Sequence, residues 1–310
     1  ASGAKVILTG DGRHSQLQPV QAGSYFREIA RQTPSMELKE IRRQKSEEDR
    51  EVVRKLASGE AEKAIQSLIK RGRYQEAPTK EETAEKLIQV WAEKYRENPK
   101  SGLIVAATNQ WNDHLNKAAQ EVRLKSGLLG PETVPVGDTH FRTGDRVLFT
   151  GKSKDIGVIK GDSGTVTAIR GSLLTVQLDT QKTVKVPTAS FQDLRLGYSI
   201  TTHRSQGATV DNVLIMAGPN WINRELSYVQ ASRARNEIHL FCDEKTAGLD
   251  QKNLIRRMNR TERKGTIQEA IQTRRERIEE REAKREEQRK QPPLDRTREE
   301  QQRVAQQLSR

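Results

Sequence analysis

Between Tyr198 and Phe241 two short apolar runs flank one stretch of helical spacing, and few folds accept that pattern. Val213 to Met216 is β-branched and apolar and follows a polar turn at Arg204 to Asn212. Glu225 to Ala234 places Leu226, Val229 and Ala231 at helical spacing, and Ile238 to Phe241 reads as the next strand. Strand, helix and strand in so short a span predict a βαβ crossover. The loop His203-Arg204-Ser205-Gln206-Gly207 is polar with one glycine, so its backbone N–H groups can approach a phosphate closely. Arg233 and Arg235 lie at the helix end, where a buried guanidinium reaches a phosphate as a planar fork. An ordinary crossover whose arginines pair with surface carboxylates fits the same residues.

The two stretches THRSQGAT, 202–209, and YVQASRAR, 228–235, resemble motifs V and VI of superfamily 1B helicases. The likeness is greatest to the RecD-like motor of conjugative relaxase-helicases. Two motifs in order, about 20 residues apart, are a stronger signal than either alone. The resemblance implies that Thr202, His203 and Ser205 face single-stranded DNA, that Gln206 and Gly207 face the nucleotide, and that Arg233 reaches the γ-phosphate.

Further matches lie upstream. Lys5 to Leu8 reads as a strand, and its position at the start predicts a cut through a larger protein. Val6 to Gly23 resembles motif III, with Asp11 at a turn. The glutamine of that motif is displaced: His14 stands three after Asp11, and Gln16 comes two places late. Asp11 and Gln16 are the nucleotide-facing residues the resemblance implies there. A short helix is predicted over 24–31. Glu37 to Gln44 resembles motif IV, which makes Arg43 a finger on the γ-phosphate, although a solvated helix end reads the same way. Gly102 to Thr108 is nearly continuous apolar sequence and predicts a buried parallel strand. Its continuation, VAATN…LN, resembles the stretch whose Thr and Asn grip a DNA phosphate, here Thr108 and Asn109 at the carboxyl end of a strand. A helix N-cap at Asn109 or Asn112 serves equally.

Between the motifs, 46–71 predicts an amphipathic helical stretch broken at Gly59, and Thr79 with Glu82 predicts a capping box on a helix to about Arg96. Trp91 and Tyr95, four apart in that helix, read as core. From Phe141 to Leu194, RVLFT, GVIKG, GTVTAIR, LLTVQLD and TVKVP read as short strands of a small SH3-like β-barrel inserted into the α/β pattern. The resemblance places such a subdomain beside the DNA path, with Lys152, Lys154 and Lys160 on it, although surface lysines also serve solubility. Gly151-Lys152-Ser153 resembles the end of a P-loop, but Arg146 stands where its first glycine belongs and strands follow it. No other stretch reads as a Walker A sequence, and no Asp-Glu pair for magnesium precedes the motif III region.

Composition bounds the partners. The 310 residues carry a net charge of +13, which points to a polyanion. Residues 251–310 hold 18 Lys and Arg against 11 Asp and Glu, so about half of that excess lies in a tail that alternates sign at helical spacing. Cys242, the single cysteine, excludes an internal disulfide and reads as a buried, inert thiol. No apolar run approaches the ~20 residues of a membrane span, no signal peptide is visible, and the expected location is the cytoplasm.

The sequence therefore predicts an α/β chain of four parts: the end of a first RecA-like domain at 1–31, a second RecA-like domain at 32–140 and 195–248, the inserted barrel at 141–194 and a basic tail at 249–310. The resemblance implies an ATP-dependent 5′-to-3′ helicase on single-stranded DNA. ATP and Mg2+ are then held mainly by the absent first motor domain, and the fragment is inactive alone. The implied partners are the N-terminal part of the same polypeptide, including its relaxase domain, and the conjugation machinery. The alternative is a non-catalytic helicase module that binds single-stranded DNA or a secretion or coupling partner. A sequence-specific regulator has no helix-turn-helix or zinc pattern to support it.

Overall fold

The computed structural model describes residues 7–9, 29–30, 33–34, 36, 41–205, 209–218, 222–261, 274, 278 and 282. The chain divides into two compact units, one of 1–18 with 29–263 and one of 19–28 with 264–310. All the elements below belong to the first.

Its frame is a five-stranded, all-parallel sheet of β1 (Tyr74–Ala77), β2 (Gly102–Ala106), β10 (Ser199–Thr201), β11 (Val210–Met216) and β12 (Ala234–Asp243), in the order β1-β12-β11-β2-β10. Side chains alternate across it with period two. Val105, Val213, Ile215, Ile238 and Leu240 face α1 (Glu47–Ser58), α2 (Ala61–Lys70), α6 (Arg224–Ala231) and α7 (Lys252–Asn259). Ile104, Ala106, Leu214, Met216 and Phe241 face α3 (Lys80–Tyr95) and α4 (Asn109–Lys125). A strand covered on both faces has no polar side, which is why 102–108 reads as unbroken apolar sequence.

The helix boundaries follow local chemistry. The Ser46 hydroxyl accepts the Asp49 N–H at 3.1 Å and starts α1, and Gly59, at φ 80°, ends it in a left-handed turn. The Thr79 hydroxyl accepts the Glu82 N–H at 3.2 Å and donates to the Glu82 carboxylate at 3.0 Å, so Thr79 caps α3 with Glu82 as its partner, although Glu82 takes the hydroxyl rather than the Thr79 N–H. Trp91 is fully buried. Its indole N–H donates to the Gly102 carbonyl at 2.9 Å, and its ring meets Tyr198 edge-on at 5.7 Å. Tyr95 is buried with it. Burial pushes the Cys242 thiol up to about 12, so it stays protonated and inert.

Between α4 and β10 the chain forms two antiparallel sheets. A hairpin pairs β3 (Thr133–Val136) with β4 (Thr139–Arg142). The larger sheet runs β8-β7-β6-β5-β9, from β5 (Arg146–Phe149), β6 (Ser163–Arg170), β7 (Leu173–Leu178), β8 (Thr183–Pro187) and β9 (Leu194–Leu196). It occupies the place expected for the insertion. The hairpin and β9 escaped sequence reading. The strand expected at GVIKG is instead a turn, with one isolated bridge from Ser153 to Val158. Gly157 and Gly161 have φ 76° and 100°, which no strand accommodates, and Ile159 is 67% exposed. The helix expected to end at Ala234 ends at Ala231, and the strand expected from Ile238 begins at Ala234.

A charged network ties the outer strands to the helices. Asp49, buried, accepts from Arg71 at 3.0 Å and from Arg73 at 3.1 Å. Arg73 continues to Glu237 at 3.2 Å, which also holds Lys94 at 3.1 Å and His239 at 2.9 Å. Burial alone would raise the Glu237 carboxyl. Hydrogen bonds from His239 and Lys94 override it and hold it at about 2, against an ordinary 4.5. A carboxylate depressed by folding stabilises the fold above its unfolded pKa and loses that contribution as pH falls toward its folded one. In thermal melts, the Tm gap between wild type and Glu237→Gln is therefore expected to be widest above about pH 4.5 and to close toward pH 2. A gap that stays constant across that window contradicts the assignment.

Candidate nucleic-acid interface

All five strands run the same way, so the segments after β2 and β10 leave the sheet from the same edge. Thr201 pairs with Ala106, which places Thr108 and Thr202 beyond the carboxyl ends of two neighbouring strands. Parallel α/β sheets bind ligands at that edge. Thr108 is the N-cap of α4, its hydroxyl accepting the Trp111 N–H at 3.3 Å. The cap therefore falls on Thr108 itself rather than on Asn109 or Asn112. Asn109 is the exposed first residue of the helix.

The adjoining strand is held by α4. Asn116, buried, accepts the N–H groups of Tyr198 and Ser199, both at 2.9 Å, and its amide donates to the Ser199 carbonyl at 2.9 Å. Asn112 donates to the Thr108 carbonyl at 2.7 Å and accepts from the Ser199 hydroxyl. Tyr198 donates its hydroxyl to Asp145 at 2.7 Å. Asp145 also takes the Gln120 amide and the Arg142 N–H, each at 2.7 Å, and burial pushes its carboxyl up against those bonds. The edge strand, which would otherwise expose a row of backbone groups, is thus closed by side chains.

Beyond it α5 (Thr202–Ser205) is a single helical turn. Thr202 and Ser205 are buried; His203 and Arg204 are exposed. The Ser205 hydroxyl donates to the Thr202 carbonyl at 2.7 Å, and the Thr202 hydroxyl accepts from the Gln230 amide at 2.6 Å. Gln230 lies on α6 and is buried.

The end of α6 meets the stretch at 43–45. Arg43 Nη1 donates to the Ser232 carbonyl at 2.6 Å, Gln44 donates to the Ala234 carbonyl at 2.6 Å, and the Lys45 N–H donates to the Arg235 carbonyl at 2.7 Å. Arg43 is exposed. Arg233 is buried, and its guanidinium folds back on its own helix: Nε donates to the Val229 carbonyl and Nη2 to the Ser232 hydroxyl, both at 2.8 Å. The structure thus brings the stretches at 43–45, 202–205 and 229–235 into one hydrogen-bonded assembly, with Thr108 beyond the end of the neighbouring strand. Asp11, Gln16, Gln206 and Gly207 lie outside the described residues. The bonds of Asn116 and Gln230 escaped sequence reading, because their partners lie far away in the chain. Among the described residues no group of three or more His, Cys, Asp or Glu side chains is arranged to hold a metal, and no helix is long and apolar enough to cross a membrane.

Residues 1–79 match a family model described as an AAA domain. The chain is 33% identical over 246 residues to the conjugal transfer protein TraA of Agrobacterium fabrum, covering 77% of this chain and 22% of that protein. It is 29% identical over 252 residues to the ATP-dependent RecD2 DNA helicase of Deinococcus radiodurans, covering 76% of this chain and 32% of that one. A solved structure of the Pif1 helicase from Bacteroides, in complex with ADP-AlF3 and single-stranded DNA, aligns with a TM-score of 0.45 and 20% identity, over 66% of this chain and 51% of that one. The chain thus spans about a fifth to a third of the length of the curated relatives it matches. It is similar to conjugative relaxase-helicases and to RecD-type helicases, and so is helicase-like in the manner of superfamily 1B.

Proposed function

We propose that this chain supplies the second of two RecA-like lobes in an ATP-driven translocase, moving 5′ to 3′ on single-stranded DNA within a relaxase-helicase of conjugation. The observation that carries this reading is the convergence of 43–45, 202–205 and 229–235 through direct hydrogen bonds, beside Thr108. These stretches, far apart in the chain, are the ones whose motifs the helicases share.

The residues divide by position. Thr108, Asn109 and His203 form the edge that grips the DNA backbone, and Thr202 and Ser205, expected there as direct contacts but buried, shape the turn behind it, with the antiparallel sheet at 146–196 as an SH3-like barrel flanking the strand. Arg43, exposed and anchored at Ser232, is the finger that a partner lobe's nucleotide meets. Arg233 reaches a phosphate by giving up Val229 and Ser232. Asp11, Gln16, Gln206 and Gly207 complete the nucleotide side. ATP and Mg2+, held mainly by the preceding lobe, supply the free energy of the cycle. Two arginines closing on a transferring phosphoryl group stabilise its charge, which is the main protein contribution to such chemistry.

This division predicts that the 310-residue chain alone shows no ATP turnover above background in the presence of single-stranded DNA. Turnover that Arg233→Ala abolishes would overturn it. A non-catalytic single-strand clamp is the second reading, and the inward fold of Arg233 favours it. A longer polypeptide that carries a P-loop lobe and still fails to hydrolyse ATP would support the clamp.

A further inference from the structure

Gln230 joins α6 directly to the turn at 202–205. It is 3% exposed, as is Thr202, and its amide reaches the Thr202 hydroxyl at 2.6 Å. A buried amide commits a full hydrogen bond where water cannot substitute, so the pairing fixes the turn against the helix. The turn itself is only four residues long and is also held by the bond from Ser205 to the Thr202 carbonyl. It presents two exposed basic side chains, His203 and Arg204, on the edge where Thr108 stands.

We infer that Gln230 is a positioning residue that holds the 202–205 turn so that Arg204, a cation not otherwise assigned a role, contacts a phosphate of single-stranded nucleic acid. The inference rests on the DNA-contacting role proposed for this edge. Gln230 is neutral and buried, so it touches no phosphate and displaces no counterion. Its loss alters the salt dependence of binding only if a cation elsewhere lets go. For single strands the slope of log affinity against log salt changes by roughly 0.7 for each phosphate contact.

The test is fluorescence anisotropy of a labelled oligo-dT with the 310-residue chain across a salt series. Gln230→Met and Arg204→Gln are each expected to flatten the slope by roughly 0.7, and the double variant to flatten it no further. Affinity at low salt is expected to fall roughly 2- to 10-fold in Gln230→Met, in line with the loss of one buried hydrogen bond. Thr202→Val keeps the shape, removes the acceptor and is expected to reproduce the change from the other partner, whereas Thr202→Ser keeps the hydroxyl and is expected to restore wild-type behaviour. A wild-type slope in Thr202→Val, or slope changes of Gln230→Met and Arg204→Gln that add, overturns the inference while leaving DNA binding intact. A wild-type chain that fails to bind the oligonucleotide overturns the parent reading instead, and this inference with it.

Discussion

Arg43→Ala is expected to lower kcat for ATP hydrolysis about a thousandfold in a polypeptide that joins this chain to a P-loop lobe. A finger arginine contributes its planar charge only as the phosphoryl group transfers, so KM is expected to move little. Arg43 suits that role by its placement. Its side chain is exposed, and the Ser232 carbonyl that it holds lies next to Arg233. Its removal costs the fold little, because neighbouring Gln44 and Lys45 keep the segment against Ala234 and Arg235. Arg43→Lys is expected to recover only a small part of the rate, since an ammonium cannot present the same fork. Steady-state turnover with saturating single-stranded DNA reads the effect. A kcat within tenfold of wild type, with an unchanged melting temperature, would remove Arg43 from the chemistry.

Trp91→Ala acts on the other half of the account, the scaffold. The indole is fully buried, meets Tyr198 edge-on and bonds the Gly102 carbonyl. It thus supports the start of β2 and the residue before β10, the two strands that lead to Thr108 and Thr202. Deleting it leaves a large cavity and an unsatisfied carbonyl, at a cost of roughly 3–5 kcal/mol. In a unit of this size that lowers Tm by roughly 10 °C. Thermal melting of the purified variant checks it. A drop of only one or two degrees would mean that α3 is not packed against Gly102 and Tyr198 as the structure has it.

Much of this scaffold was legible because it is local. The apolar run at 102–106, the break at Gly59, the Thr79 capping box and the core placement of Trp91 each follow from spacing within one or two turns of chain. The GVIKG segment misled because its two adjacent β-branched residues, Val158 and Ile159, favour a strand while its flanking glycines take positive φ. The strand order and the role of Asn116 were not legible, since Asn116 meets Tyr198 and Ser199 from a separate element. The Gln230 to Thr202 bond was hidden for the same reason: each residue sits in a recognised motif, and neither motif states what it packs against. The site was therefore readable as a set of residues and not as an assembly.

In the proposed function a built edge, and not a diffuse positive charge, holds single-stranded DNA. Anisotropy of a short labelled strand across a salt series tests it, using the full chain, a form ending at Arg263 that keeps the core helix Lys252–Asn259, and the full chain with Thr108→Ala and His203→Ala together. The account predicts that the truncated form still binds and that the paired substitution weakens binding at every salt concentration. Binding that disappears with the tail and ignores Thr108 and His203 would show that the affinity is electrostatic alone, and would contradict it.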